Sequence, residues 1–150
     1  MSSRVNLGKA EPDLYRLVSS LDTSASNAMA VAGFDHGFIH LIALRTSQIN
    51  QCAFCMRLHT RDALSAGVSA DRIAVLPAWR EAGYFTDKEQ AALDVTEAIT
   101  RITEGQFADA VYERIAVHLS SREIAAVSWH VIVANTWNRI AIASRYDVKP

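Results

Sequence analysis

The chain has 150 residues, half of them apolar and 21% charged, with a formal net charge of −1. That is the make-up of one ordinary globular domain with a sizeable core. The neutral balance, with no basic cluster interleaved with aromatics, excludes the nucleic-acid and anionic-membrane classes of function.

Taken in chain order, Met1–Leu7 lacks the apolar core of a secretion signal. No later run approaches the roughly 18 apolar residues of a membrane span, so the expected location is the cytoplasm. There is no repeat, low-complexity tract or linker, and residues 1–150 are expected to form a single, all-α domain. Pro12 opens a helix over residues 12–22, with Leu14, Leu17, Val18 and Leu21 on one stripe. A second helix is predicted from Asp35 to about Ile49, carrying Phe38, Leu41, Ile42 and Arg45 at helical spacing. Asn50, a favoured cap residue, is expected to start a third helix with Cys52 in its first turn. That helix should run to Ser65 and be closed by Gly67. Ser69 offers a cap for a short helix ending before Pro77.

Two later starts fit the capping box, in which a hydroxyl and a carboxylate satisfy free amide groups reciprocally. Thr86-Asp87-Lys88-Glu89 opens a helix carrying Ala92, Val95, Ile99 and Ile102. Ser120-Ser121-Arg122-Glu123 opens a last long helix, about Arg122 to Ser144. On it, Val127, Val131 and Ala134 form one apolar stripe, and Trp129, Val133, Trp137 and Ile140 another. A helix apolar on two sides is buried from two directions, one of which can be a neighbouring subunit.

The two cysteines sit three residues apart, and in a reducing compartment such a pair points to redox chemistry or a metal rather than to a structural crosslink. A helix start stabilises a thiolate through free amide groups and the helix dipole. On a helix turning about 100° per residue, Cys52, Cys55 and His59 share one face, with Cys55 and His59 direct neighbours. One thiolate can attack a peroxide oxygen or a disulfide sulfur while its partner closes an intramolecular disulfide. An imidazole beside it can take the thiol proton and return it to the departing alkoxide.

The run Leu44-Arg45-Thr46-Ser47-Gln48-Ile49-Asn50-Gln51-Cys52-Ala53-Phe54-Cys55, continued by His59-Thr60-Arg61-Asp62-Ala63, resembles the core of the AhpD-like alkylhydroperoxidases of the carboxymuconolactone decarboxylase superfamily. The likeness is strongest over residues 38–67 and extends loosely to Ala134-Asn135-Thr136-Trp137-Asn138-Arg139. The resemblance implies an all-α bundle that assembles as a homo-trimer or homo-hexamer, without a bound cofactor. It implies reduction of a hydroperoxide by the cysteine pair, with electrons from a dithiol donor, either a protein or a lipoyl-type group. By that pattern Cys55 attacks, Cys52 resolves and His59 moves the proton, whereas helix-dipole reasoning alone favours Cys52 as the more acidic thiol. The family's relay usually includes a glutamate five residues before the arginine that matches Arg45, and here that position is His40. An imidazole moves protons near neutral pH but lacks the carboxylate's fixed negative charge.

Other readings compete. Cys52, Cys55, His59 and His40 together offer the thiolate and imidazole ligands of a zinc site. The superfamily's other chemistry, on the lactone of an aromatic catabolite, needs no disulfide cycle. His40 is open between a relay member, a core histidine and a metal ligand. His36 reads as a helix-start residue, His118 and His130 as structural, and Arg61 and Asp62 as a polar face. Phe38, Phe54 and Leu58 are candidate walls for a pocket over Cys55.

Overall fold

The computed structural model describes residues 4–150; the first three residues of the Met1–Leu7 stretch lie outside them. Among the described residues all regular structure is helical. In chain order there are α1 (Leu7–Ala10), α2 (Pro12–Val31), α3 (His36–Ile49), α4 (Ala53–Ser65), α5 (Ala70–Ala74), a 3-10 turn (Leu76–Ala78), α6 (Asp87–Thr100), α7 (Ile102–Gly105), α8 (Asp109–Ala116) and α9 (Ser121–Ser144). None of the described helices is long and apolar enough to cross a membrane.

The starts follow the side chains that can accept from free amide groups. Asp35 accepts from the amides of Gly37 and Phe38 to begin α3, and Ser69 from that of Arg72 to begin α5. Both capping boxes form, Thr86 with Glu89 on α6 and Ser120 with Glu123 on α9. Gly67, at φ 86°, closes α4 in the left-handed conformation that a side chain disfavours.

α3 is the central helix, packed against α4, α6 and α9. Its Phe38, Leu41 and Ile42 are fully buried, together with Leu93 and Val95 of α6 and Val127 and Val131 of α9. Each such side chain stabilises the fold by about 1.5–3 kcal/mol through burial, so this three-helix seam fixes where α4 sits. The one large ionic cluster of this core centres on Glu97. Its carboxylate accepts from Arg45, Trp79 and Arg80 at 2.8 to 3.0 Å.

Three expectations need correction, and one apolar stripe proves to be uncovered. α2 runs on to Val31 instead of stopping near residue 22, because Ala25 and Met29 bury one turn apart beneath a Ser- and Thr-rich stretch that reads as loop. The stripe of Leu14, Leu17 and Leu21 on its first half is exposed. Ile102 is not on α6: the chain bends at Arg101, and Ile102 begins α7 half-exposed. Asn50 does not cap α4; it ends α3, and Cys52 caps α4.

Candidate active site

The turn between α3 and α4 delivers the first cysteine. α3 ends in a Schellman arrangement: the Gln51 amide donates to the Gln48 carbonyl and the Cys52 amide to the Ser47 carbonyl. Gln51 takes the left-handed conformation, φ 56°, that glycine usually supplies. The residue that completes this ending, Cys52, is also the N-cap of α4, and its Sγ accepts from the Cys55 amide at 3.4 Å. Asn50, freed from capping, donates to Asn135 and Asn138 on α9, both at 2.9 Å. Asn138 in turn donates to Ser47 at 3.0 Å. This amide network ties the turn to the last helix, so the cysteine position is set by α3 and α9 together.

Cys52 and Cys55 are joined as a disulfide, with Cα atoms 5.3 Å apart, an ordinary separation for such a bond. Both are buried, yet they face different openings. Cys55 and His59, one turn apart on α4, line a cleft of about 210 Å³ with Tyr15, Phe54, Trp137 and Tyr146 among its walls. Cys52 lines a second cleft of about 280 Å³, rimmed by Arg4 and Arg145. Phe54, Ala141 and Tyr146 stand between the two and belong to both. Phe54 meets Tyr146 edge-on, and Tyr15 meets Trp137 in the same way. Of the three expected pocket walls, Phe54 and Leu58 line the Cys55 cleft, but Phe38 is fully buried in the core.

Behind the cleft lies a polar cluster. The Nδ1 of His59 is 3.9 Å from Asp62 Oδ2, and the Nδ1 of His40 is 4.0 Å from the same oxygen. Both distances exceed a hydrogen bond. The Nδ1 of His59 is buried and has no partner. Burial, followed by the neighbouring His130 and His40, pushes the His59 pKa down to about 4. The ring is therefore neutral at pH 7, and burial makes it a weak base that holds a proton only transiently. His40 is lowered too, chiefly by burial; Asp62 opposes this and His36 adds to it. His36 stands at the first position of α3 with its ring edge-on to His40. His130 is buried and donates from Nε2 to the Ile39 carbonyl at 3.0 Å. His118 is exposed at the end of α8, outside the site.

The structure thus brings Cys55 and His59 together on α4 and sets His40 behind His59. It joins Cys52 to Cys55 from the cap position, so that Cys52 opens to a different cleft rather than sharing their face. The four-ligand set of Cys52, Cys55, His59 and His40 does not form. The cation-sized grouping among the described residues is His40, His59 and Asp62, with neither cysteine in it. Asp62 is the residue that sequence reasoning passed over. Its spacing of three from His59 was the available signal, but its approach to His40 depends on how α3 and α4 pack. Glu97 offers no substitute for the absent relay glutamate, since its oxygens are taken by Arg45, Arg80 and Trp79 and it does not line the cleft.

The sequence profile of the carboxymuconolactone decarboxylase family matches residues 12–98, which include every one of these cysteine, histidine and aspartate positions except His118 and His130. The uncharacterized protein YdfG of Bacillus subtilis (strain 168) is 32% identical over 143 residues, which cover 95% of each chain. The uncharacterized protein YnjA of Escherichia coli (strain K12) is 26% identical over 88 residues, 59% of this chain and 48% of that one. Among solved structures, ATU0492 from Agrobacterium tumefaciens matches with a TM-score of 0.86 at 36% identity, covering 99% of both chains. That protein is described as of unknown function and as a candidate antioxidant defence protein AhpD.

Proposed function

Because this chain belongs to the carboxymuconolactone decarboxylase family, we propose that it is a thiol-dependent hydroperoxide reductase working through Cys52 and Cys55. The observation that carries this reading is the placement of Cys55 and His59 on the wall of one cleft, with Cys52 bonded to Cys55 from the far side. The candidate antioxidant description of ATU0492 points the same way.

In the reduced enzyme His59, neutral at working pH, takes the proton from Cys55 Sγ. The thiolate attacks the terminal oxygen of the hydroperoxide: an S–O bond forms, the O–O bond breaks, and the alkoxide leaves with the proton returned by His59. Cys55 is then a sulfenic acid. Cys52 attacks its sulfur and water departs, closing the disulfide. Two electrons have passed from the thiol pair to the peroxide. A dithiol donor, protein or lipoyl-type, attacks the disulfide at Cys52 and leaves oxidised, restoring both thiols. His40 and Asp62 stand behind His59 as positioning residues. Asp62 supplies from α4 the carboxylate that position 40 on α3 lacks. The aromatic walls and small volume of the cleft favour an organic hydroperoxide of modest size.

The same reading makes the protein a cytoplasmic homo-trimer or homo-hexamer, for which exposed Leu14, Leu17 and Trp129 offer contact surface. The test is direct. One equivalent of an organic hydroperoxide is added to fully reduced, metal-free protein and the intact mass is followed with time. A loss of two hydrogens, much faster than oxidation by air and absent in Cys55→Ser, is the expected result. An unchanged mass, or oxidation no faster than that of an ordinary thiol, sinks the proposal.

A further inference from the structure

We propose that His40, His59 and Asp62 form a binding site for a divalent transition-metal cation of the zinc type, separate from the cysteines. The site is built by two helices: His40 comes from α3, while His59 and Asp62 lie three residues apart on α4. Their ligand atoms, one ring nitrogen from each histidine and a carboxylate oxygen, all fall within 4.8 Å of one another.

The distances argue for something between these groups. At 3.9 and 4.0 Å from Asp62 Oδ2, neither histidine makes a hydrogen bond with it. The Nδ1 of His59 is buried without any partner, an unfavourable state for a polar atom when nothing satisfies it. A single ion at the centre of the three atoms would satisfy all of them. With metal–ligand bonds near 2.0–2.1 Å, tetrahedral ligands stand roughly 3.4 Å apart. Each histidine therefore needs to approach Asp62 by about half an ångström, and the two imidazole nitrogens each other by at most about 1.4 Å, shifts that rotation of the side chains can supply.

The donor set selects the ion. Two imidazoles and one carboxylate suit zinc and its neighbours in the first transition row, whereas calcium and magnesium call for oxygen ligands throughout. Three protein ligands leave a fourth position for water, and Asp62, the most exposed of the three at 39% of its side chain, gives solvent a way in. Neither cysteine belongs to the grouping, and the two are bonded to each other, so the site needs no thiolate ligand. It shares His59 with the proposed reaction, whose test uses metal-free protein.

The experiment uses the full chain in its disulfide form, freed of metal and checked for absence of reactive thiol. Zinc chloride is titrated against a chromophoric chelator, and Co²⁺ is added in parallel as a spectroscopic probe. One equivalent of zinc is expected to bind. Cobalt should show the visible bands of a tetrahedral ion without thiolate charge-transfer absorption. Affinity should fall at least about tenfold in His40→Ala and in the near-isosteric Asp62→Asn, and stay as it is in His118→Ala. Should His40→Ala fail to fold, Asp62→Asn decides the matter alone. Absence of zinc binding in the disulfide form overturns the proposal, as does binding that appears only on reduction. Affinity unaltered in Asp62→Asn overturns it too.

Discussion

His59 carries the most consequence of any single residue in this molecule. It faces the Cys55 cleft from one side and the His40–Asp62 pair from the other. As the proton carrier of the proposed reaction, its loss in His59→Ala should slow hydroperoxide-driven disulfide formation by roughly 100-fold or more, the usual range for removing a general acid-base group. Stopped-flow measurement of that step reads the effect, and an unchanged rate removes His59 from the mechanism. Its burial also predicts a pH dependence of stability. The folded ring titrates at about 4 against an ordinary 6.5. Below pH 6.5 the unfolded chain therefore binds a proton that the folded chain refuses. In metal-free protein this contribution is fully present above 6.5, declines as the pH falls toward 4, and is gone below it. Its full size is on the order of 3 kcal/mol. Urea unfolding at pH 7 and at pH 4 should show a smaller loss of stability in His59→Gln than in the unaltered protein. The cysteines and His59 were legible in the sequence because one helix carries all three at fixed spacing. Asp62 was not, since a carboxylate beside an arginine reads as solvated surface until α3 is packed against α4.

Among the elements, legibility followed the capping chemistry. The boxes at Thr86 and Ser120 are local signals, complete within four residues, and both appear in the structure. Ser120→Ala should cost about 1 kcal/mol and lower the melting temperature by about 2–4 °C. Calorimetry checks this, and an unaltered melting temperature would mean that the packing of α9 alone sets its start. Asn50 shows the opposite case. It is a good cap by residue type, but the Schellman ending of α3 carries the chain past it, and its amide is used against Asn135 and Asn138 instead. The short α7 and α8 left no expectation at all. α8 does carry Val111 and Ile115 one turn apart, but two short turns are too brief for the period to stand out, and tertiary packing of Ile115 orders the helix.

For the whole molecule, the all-helical class could be read from the periodicity, and the particular arrangement only from resemblance over residues 38–67 and the Ala134–Arg139 stretch. Long-range placement, such as the seating of α9 beside the α3–α4 turn, leaves no local mark. The first half of α2 tests the assembly. Leu14 and Leu17 are 59% and 66% exposed in the single chain, an apolar stripe with water on it. In a trimer or hexamer that uses it, Leu17→Glu should release monomers, read by light scattering after size exclusion. A variant mass equal to that of the unaltered protein would leave the stripe outside any subunit contact. One last feature bears on throughput. The partition of Phe54, Ala141 and Tyr146 gives each sulfur of the pair its own opening. On the proposed reading, oxidant and reductant then queue at separate doors. A crowded supply of one need not block the other, and turnover can keep rising with donor at concentrations where a shared entrance would choke.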